Sequence, residues 1–308
     1  MSLRKFVFLF CLSVLLGDRV LTQTKTVAER LGYPTDTKLL IIHADDLAIA
    51  HSEDTASFEA LDKGAVTSAS IIVPGSWLTE VAEYAKAHSD ADLGLHLALT
   101  SEWKTFRWGS VESKDKVPSL LDPAGTLWSL TELVAKNAKP QEVEREYRAQ
   151  IQRAMTLGIR PTHLDTHMGS ALATPEILAV YVKVAHEFHL PILAPRIPGD
   201  PLKLSTLLSE KDVMVDSVVI ANPNIRADQW KEFYLDAITN MKPGLTEIIV
   251  HLGHDDAELQ AVMVDHPDYG SAWRQRDFDA VSSPEFKKAL QDNHVILVKW
   301  KDLQKLVQ

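Results

Sequence analysis

His43, Asp45 and Asp46 stand at the end of an apolar run, Leu39 to Ile42. An imidazole and two adjacent carboxylates are costly inside a core, because charged groups resist removal from water. At the end of a strand in an α/β fold they are where active sites are built. The stretch therefore predicts a metal ligand and a general base. Comparable residues end other strand-like segments: His96 in Leu93–Leu97, then His163, Asp165 and His167, then His251, His254, Asp255 and Asp256. Five of the chain's twelve histidines thus fall on three strand ends, and His43 adds a fourth. On a strand, alternate residues share a face, so His163, Asp165 and His167 can act together. Asp45 and Asp46 would point apart on a regular strand and can take different tasks only if the strand ends there. Two imidazoles and one carboxylate leave positions open for water and substrate, the pattern of a hydrolytic metal site, and a second carboxylate can take a proton.

Each residue also has a plainer use. His96 alone fits a satisfied core histidine. His163 fits a hydrogen-bonding partner that sets a neighbour's tautomer. His254 to Asp256 fit the cap of a helix starting near Ala257, and Ser52 fits the cap of the helix after the aspartate pair. GxGxxG, Walker, GxSxG and HExxH motifs are absent from the sequence.

The elements that must position these residues alternate. Strands are predicted over Leu39–Ala44, Thr67–Val73, Leu93–Leu99, Thr162–Asp165, Ile192–Arg196, Val213–Ile220, Glu247–Leu252 and His294–Val298. Helices are predicted over Ser52–Lys63, Leu78–His88, Gln141–Leu157, Pro175–Phe188, Gln229–Met241, Ala257–Val264, Pro284–Asp292 and Lys301–Val307. In Gln141–Leu157, Val143, Tyr147 and Ile151 recur every four positions, with Pro140 before and Gly158 after, the normal helix punctuation. Such alternation predicts an α/β fold, a TIM-barrel-like (β/α) barrel, irregular or incompletely closed, with a doubly wound open sheet as the alternative. The long stretch Trp103 to Lys139 reads as an active-site wall, whose Trp103, Trp108 and Trp128 could stack on the rings of a ligand or simply anchor the loop.

The net charge of −10 argues against a nucleic-acid binder, which needs a basic face. Arg4 and Lys5 precede the apolar run Phe6 to Leu16, which is too short to span a membrane and reads as a secretory signal over about residues 1–22. The expectation is a secreted or periplasmic protein, with no stable membrane span once the signal is removed and one domain over residues 23–308. The single cysteine, Cys11, leaves with the signal, so the mature chain has no thiolate to offer. A homo-oligomer is compatible with the sequence.

HADDLAIAHS (His43–Ser52), GAVTSASIIVPG (Gly64–Gly75), LGLHLALTSEW (Leu93–Trp103), PTHLDTHMG (Pro161–Gly169), EIIVHLGHDDAEL (Glu247–Leu259) and WRQRDFDAVSSPEF (Trp273–Phe286) together resemble the YdjC-like carbohydrate deacetylases of the chitooligosaccharide-deacetylase type. The resemblance implies a TIM-barrel-like fold and a hydrolase, dependent on one divalent metal ion (magnesium or zinc), that removes acetyl groups from N-acetylated sugars. It assigns Asp46, His96 and His167 to the metal and Asp45 to the base. The family usually places an aromatic and a glycine after the aspartate pair, where this chain has Leu47 and Ala48. It often has a further histidine where Gly169 stands, and many members have asparagine at the position of His43.

On this footing His251 is the candidate general acid and His254 the second choice. Arg196, and Arg274 or Arg276, could orient Asp45 or bind substrate. His43, His163 and Asp165 are supporting residues. The expected partner is a small-molecule or oligosaccharide substrate with N-acetyl groups. Two other readings stay open: a different metal hydrolase such as an amidohydrolase or phosphoesterase, and a non-catalytic sugar-binding protein.

Overall fold

The computed structural model describes residues 25–307, so the segment expected to be a secretory signal, with Cys11, lies outside the described residues. Among these, seven strands form one parallel sheet: β1 Lys38–Leu47, β2 Ser68–Ile71, β3 Leu93–Leu97, β4 Leu164–Thr166, β5 Ser217–Ile220, β6 Gly244–His251 and β7 Ile296–Leu297. The strand order is β4-β3-β2-β1-β6-β5. β1 is central. It pairs with β6 from Lys38 to Asp45, while its other edge holds β7 beside Leu39 and Leu40 and β2 from His43 onward.

The end strands β4 and β5 are joined only through isolated bridges, Leu164 to Ile192 and Pro195 to Val215. The sheet is thus a (β/α) barrel that is incompletely closed. The strand expected over Ile192–Arg196 is reduced to this link, because Pro191 and Pro195 carry no N–H for a regular ladder.

The eight predicted helices form within two residues of their expected ends. Their starts are chemically defined: the side chains of Thr174 and Ser283 accept from Ile177 and Phe286 N–H, and Asp256 accepts from Glu258 and Leu259 N–H. Ser52 is not a cap. The helix begins at His51, and Ser52 Oγ donates to the carboxylates of Asp256 and Glu258 instead. Ser271–Val281 is an additional helix, packed beside β6 and against Trp230–Thr239. Among the described residues, no helix is long and apolar enough to cross a membrane.

Strand alternation sorts the residues of β1. Leu40, Ile42 and Ala44 join the main core. Leu39 and Ile41 pack with Val215, Leu245 and Trp300 in a second cluster. His43 and Asp45 follow Leu39 and Ile41 on the same face, so that face is apolar at one end of the strand and polar at the other.

Candidate active site

The end of β1 is irregular where the chemistry sits. The β1–β2 register shifts between Ala44 and Leu47, and Asp46 and Ala48 take φ of +75° and +80°. A bulge of this kind breaks the alternation, so adjacent Asp45 and Asp46 both line one cavity. The turn is held by Ala48 N–H donating to Asp54 (2.7 Å) and by Trp77 N–H donating to Ala48 O (2.9 Å).

Asp46 Oδ1 lies 3.4 Å from His96 Nε2 and 3.2 Å from His167 Nδ1. It is buried and has no hydrogen bond of acceptable geometry. The far nitrogens of both imidazoles are engaged, His96 Nδ1 with Asp165 Oδ1 at 2.7 Å and His167 Nε2 with Glu102 Oε2 at 2.9 Å. Both rings are therefore fixed with their remaining nitrogen toward Asp46, and the three atoms form a donor set that could hold a metal ion. The cluster attracts positive charge. Burial opposes a charged His167, yet Glu102 and Asp46 outweigh it and raise its pKa to about 10. Burial would also raise Asp46, but Arg274, helped by His167 and His251, holds it well below the usual carboxylate range.

A second buried layer lies behind this set. His43 Nε2 is 2.9 Å from Asp165 Oδ2 and 3.1 Å from Asp45 Oδ1. Burial disfavours a charged His43, but these two carboxylates raise its pKa well above the ordinary value. His163 is stacked on Trp300 and lies directly over Gly94, where an added Cβ would come within 2.3 Å of its ring. Burial lowers the pKa of His163, so it is a neutral packing residue.

His251 Nε2 lies 3.9 Å from both Asp45 Oδ2 and Asp46 Oδ2, and its ring packs edge-on to Tyr269. Burial pulls its pKa down to about 4. Arg274 contacts Asp46 and Glu53 rather than Asp45. Glu53, Glu102, Glu247 and Asp277 are structural partners of this site that the sequence did not single out. Their only signal is a carboxylate inside or beside an otherwise recognisable block, which is too common to stand out.

Three candidates fall elsewhere, among them Arg276, whose guanidinium lies over the Trp230 ring, 4.6 Å from its centroid. Arg196 is 60% exposed at its side chain and pairs with Asp216, away from the cavity, because the Ile192–Arg196 link does not deliver a strand end to the site. His254 packs on Phe278 outside the cavity, beyond the end of β6. Trp103 and Trp108 are buried around His167, and Trp128 donates to Ser119 O. None of the three lines the cavity, so the long loop anchors the site with its tryptophans rather than presenting them to a sugar.

The cavity measures about 520 Å³, and Asp45, Asp46, His96, His167, His251 and Arg274 all line it. Residues 39–292 match the YdjC-like protein family. The chain belongs to that family. It is accordingly a hydrolase acting on carbon–nitrogen bonds. A carbohydrate deacetylase from Thermus thermophilus is 34% identical over 274 residues, covering 86% of this chain and 94% of the relative. A carbohydrate deacetylase from Brevibacillus brevis is 29% identical, covering 86% and 99%. A crystal structure of an Enterococcus faecalis protein, proposed to cleave cellobiose phosphate, superposes with a TM-score of 0.74 at 25% identity, covering 87% of this chain and 99% of that one. The YdjC-like fold is thus shared along nearly the whole described chain.

Proposed function

We propose that the protein is a metal-dependent carbohydrate N-deacetylase that hydrolyses the acetamide of an N-acetylated sugar. The observation that carries this reading is Asp46 Oδ1, buried without a hydrogen bond and faced by two imidazole nitrogens whose rings are fixed from behind. The names of the family relatives supply the reaction class. A divalent ion such as zinc or magnesium, held by Asp46, His96 and His167, would polarise the amide carbonyl and acidify water.

The other tasks belong to the chain's own groups. Asp45 takes a proton from the attacking water. His43 holds the opposite oxygen of Asp45 at 3.1 Å, keeping the carboxylate aimed into the cavity. The water oxygen bonds to the carbonyl carbon, the C–N bond breaks, and the amine nitrogen takes up a proton. His251, with its pKa near 4, is neutral before reaction at neutral pH. It therefore serves as acid by passing on the proton collected at Asp45, 3.9 Å away. We also propose that residues 1–22 direct the protein out of the cytoplasm, which amino-terminal sequencing of the exported chain would check.

The test is acetate release from N-acetylglucosamine oligosaccharides by metal-stripped and reloaded protein. Stripping should abolish release and reloading restore it, and Asp45→Asn should lower kcat by about 10²–10⁴-fold. Full activity in stripped protein, together with no detectable binding of zinc or magnesium, would remove the metal assignment. Hydrolysis of phosphate esters in place of acetamides would remove the substrate class.

A further inference from the structure

The cavity has two unlike sides. One carries the carboxylates, imidazoles and guanidinium already described. The other is a wall of Leu172, Leu193, Pro195, Val218, Ile220 and Ile249, set where the barrel is incompletely closed between β4 and β5. Ile249 precedes His251 by two residues on β6 and shares its face. Its register partner is Ile220, while Val218 is level with Glu247. The wall therefore descends from the level of His251 over about 13 Å, at about 3.3 Å per residue.

No side chain of this wall can bond a hydroxyl. The polar groups nearest to it are Tyr269, whose OH donates to Ala221 O, His266, whose Nδ1 bonds Asp268 O, and Thr166, whose Oγ1 accepts from Ala171 N–H. A sugar ring seated there would bury hydroxyls without partners, which costs affinity at each one. Trp103, Trp108 and Trp128 stand outside the cavity lining, and its one large aromatic ring, Tyr269, packs edge-on to His251 on the polar side rather than on this wall. Ile220 remains 38% exposed at the lip of this surface. A saturated hydrocarbon chain matches such a wall.

We propose that the wall is an acyl subsite, and that the enzyme accepts N-acyl amino sugars whose acyl chain is several carbons long. The proposal rests on the deacetylase reading and extends it. With the carbonyl at the Asp46–His96–His167 cluster, the chain runs down along Ile249 and Val218, and the nitrogen points up to His251 with the sugar at the solvent side. Water adds its oxygen to the carbonyl carbon, the C–N bond breaks, and the products are the carboxylate and the free amino sugar.

The test is a series of glucosamine amides, N-acetyl, N-butanoyl and N-hexanoyl, given to the metal-loaded protein, with kcat/KM measured for each. Burial of each added methylene predicts about a fourfold rise. Ile220→Asn should lower the hexanoyl-to-acetyl ratio of kcat/KM at least tenfold. A hexyl glycoside of N-acetylglucosamine places the same carbons across the amide and should show no comparable gain. Turnover of the N-acetyl compound with sharply falling turnover of the longer amides overturns the subsite and leaves deacetylation standing. A gain with the hexyl glycoside alone assigns the wall to the sugar side and overturns it as well. If none of the amides is hydrolysed, deacetylation itself falls and the subsite with it.

Discussion

Arg274 Nη2 donates to Asp46 Oδ2 at 2.7 Å, across 228 residues of sequence. The contact takes one oxygen of Asp46 and leaves Oδ1 to face His96 and His167. The other arm, Nη1, lies 2.5 Å from Glu53 Oε1, so a single buried guanidinium stands between two buried carboxylates. Both arms are needed, which a lysine cannot reproduce.

Replacing Arg274 with Met should therefore expose two faults at once. Asp46 would be left a buried carboxylate without its cation, and breaking such a pair costs about 3–5 kcal/mol. Glu53, whose pKa burial raises to about 8, would lose the neighbour that favours its ionised form. Urea unfolding of metal-free protein checks this. Adding Glu53→Gln to Arg274→Met should change little near pH 7, because burial raises the pKa of Glu53 to about 8 even beside Arg274, and without the guanidinium it stays protonated. A single variant within about 1 kcal/mol of wild type, a surface-like result, would mean that Arg274 is not the counter-charge described.

Asp165 acts through His96. Its Oδ1 accepts from His96 Nδ1 at 2.7 Å, and its Oδ2 is 2.9 Å from His43 Nε2. Asp165→Asn keeps the shape but brings an NH2 group toward one of these nitrogens, so the orientation of His96 Nε2 is no longer enforced. Metal affinity should fall about 10–100-fold, as for other carboxylates behind a histidine ligand. Competition with a chromophoric chelator measures it, and an unchanged affinity would detach Asp165 from the metal.

Much of this arrangement was legible from residue type and spacing. The strand-end pattern placed His96, His167, His251 and the aspartate pair at one end of a barrel, because strand alternation and apolar runs survive in β1, β3 and β6. The helix Ser271–Val281 was not legible for a physical reason. Its inward face holds Arg274 and Asp277 beside Trp273, Ala280 and Val281, so the hydrophobic period that marks a helix is interrupted by the very charges it delivers. Arg196 failed for the opposite reason: an apolar run flanked by prolines looked like a strand, yet it could not complete a ladder. The bulge that turns Asp45 and Asp46 into one cavity has no sequence mark beyond the two aspartates themselves.

Asp277 should give the protein a distinctive pH dependence. It is buried, and its carboxyl accepts from Trp230 Nε1 (2.7 Å), Tyr234 OH (2.6 Å) and His251 N–H (3.0 Å). Burial raises its pKa from 3.8 to about 6 despite these donors. Between those values the unfolded chain has lost the proton while the folded protein keeps it, so this group's stabilisation falls as pH rises through about 6. The change is about 3 kcal/mol, at 1.36 kcal/mol per pKa unit. Asp277→Asn removes the titration. The difference in unfolding free energy between wild type and variant should therefore change across pH 4 to 6, in favour of wild type at the acid end. Parallel curves would show that Asp277 does not titrate in that window.

Ala48 tests the turn that aims the aspartate pair. Its φ of +80° is a conformation in which a side chain is strained and which favours glycine. The turn cannot relax easily, because Ala48 donates to Asp54 and accepts from Trp77. Ala48→Gly removes the strain but gives the unfolded chain more freedom, and the two effects oppose each other. The left-handed penalty, about 1–2 kcal/mol, exceeds the added chain entropy, so the variant should gain roughly 0.5–1 kcal/mol in urea unfolding. Metal affinity should stay within about twofold, because the two backbone hydrogen bonds, not the methyl group, fix the direction of Asp46. A loss of stability would show that the fully buried Ala48 methyl contributes more by packing than it costs by strain. In that case the alanine is part of how this chain holds Asp45 and Asp46 together, rather than a tolerated substitute for glycine.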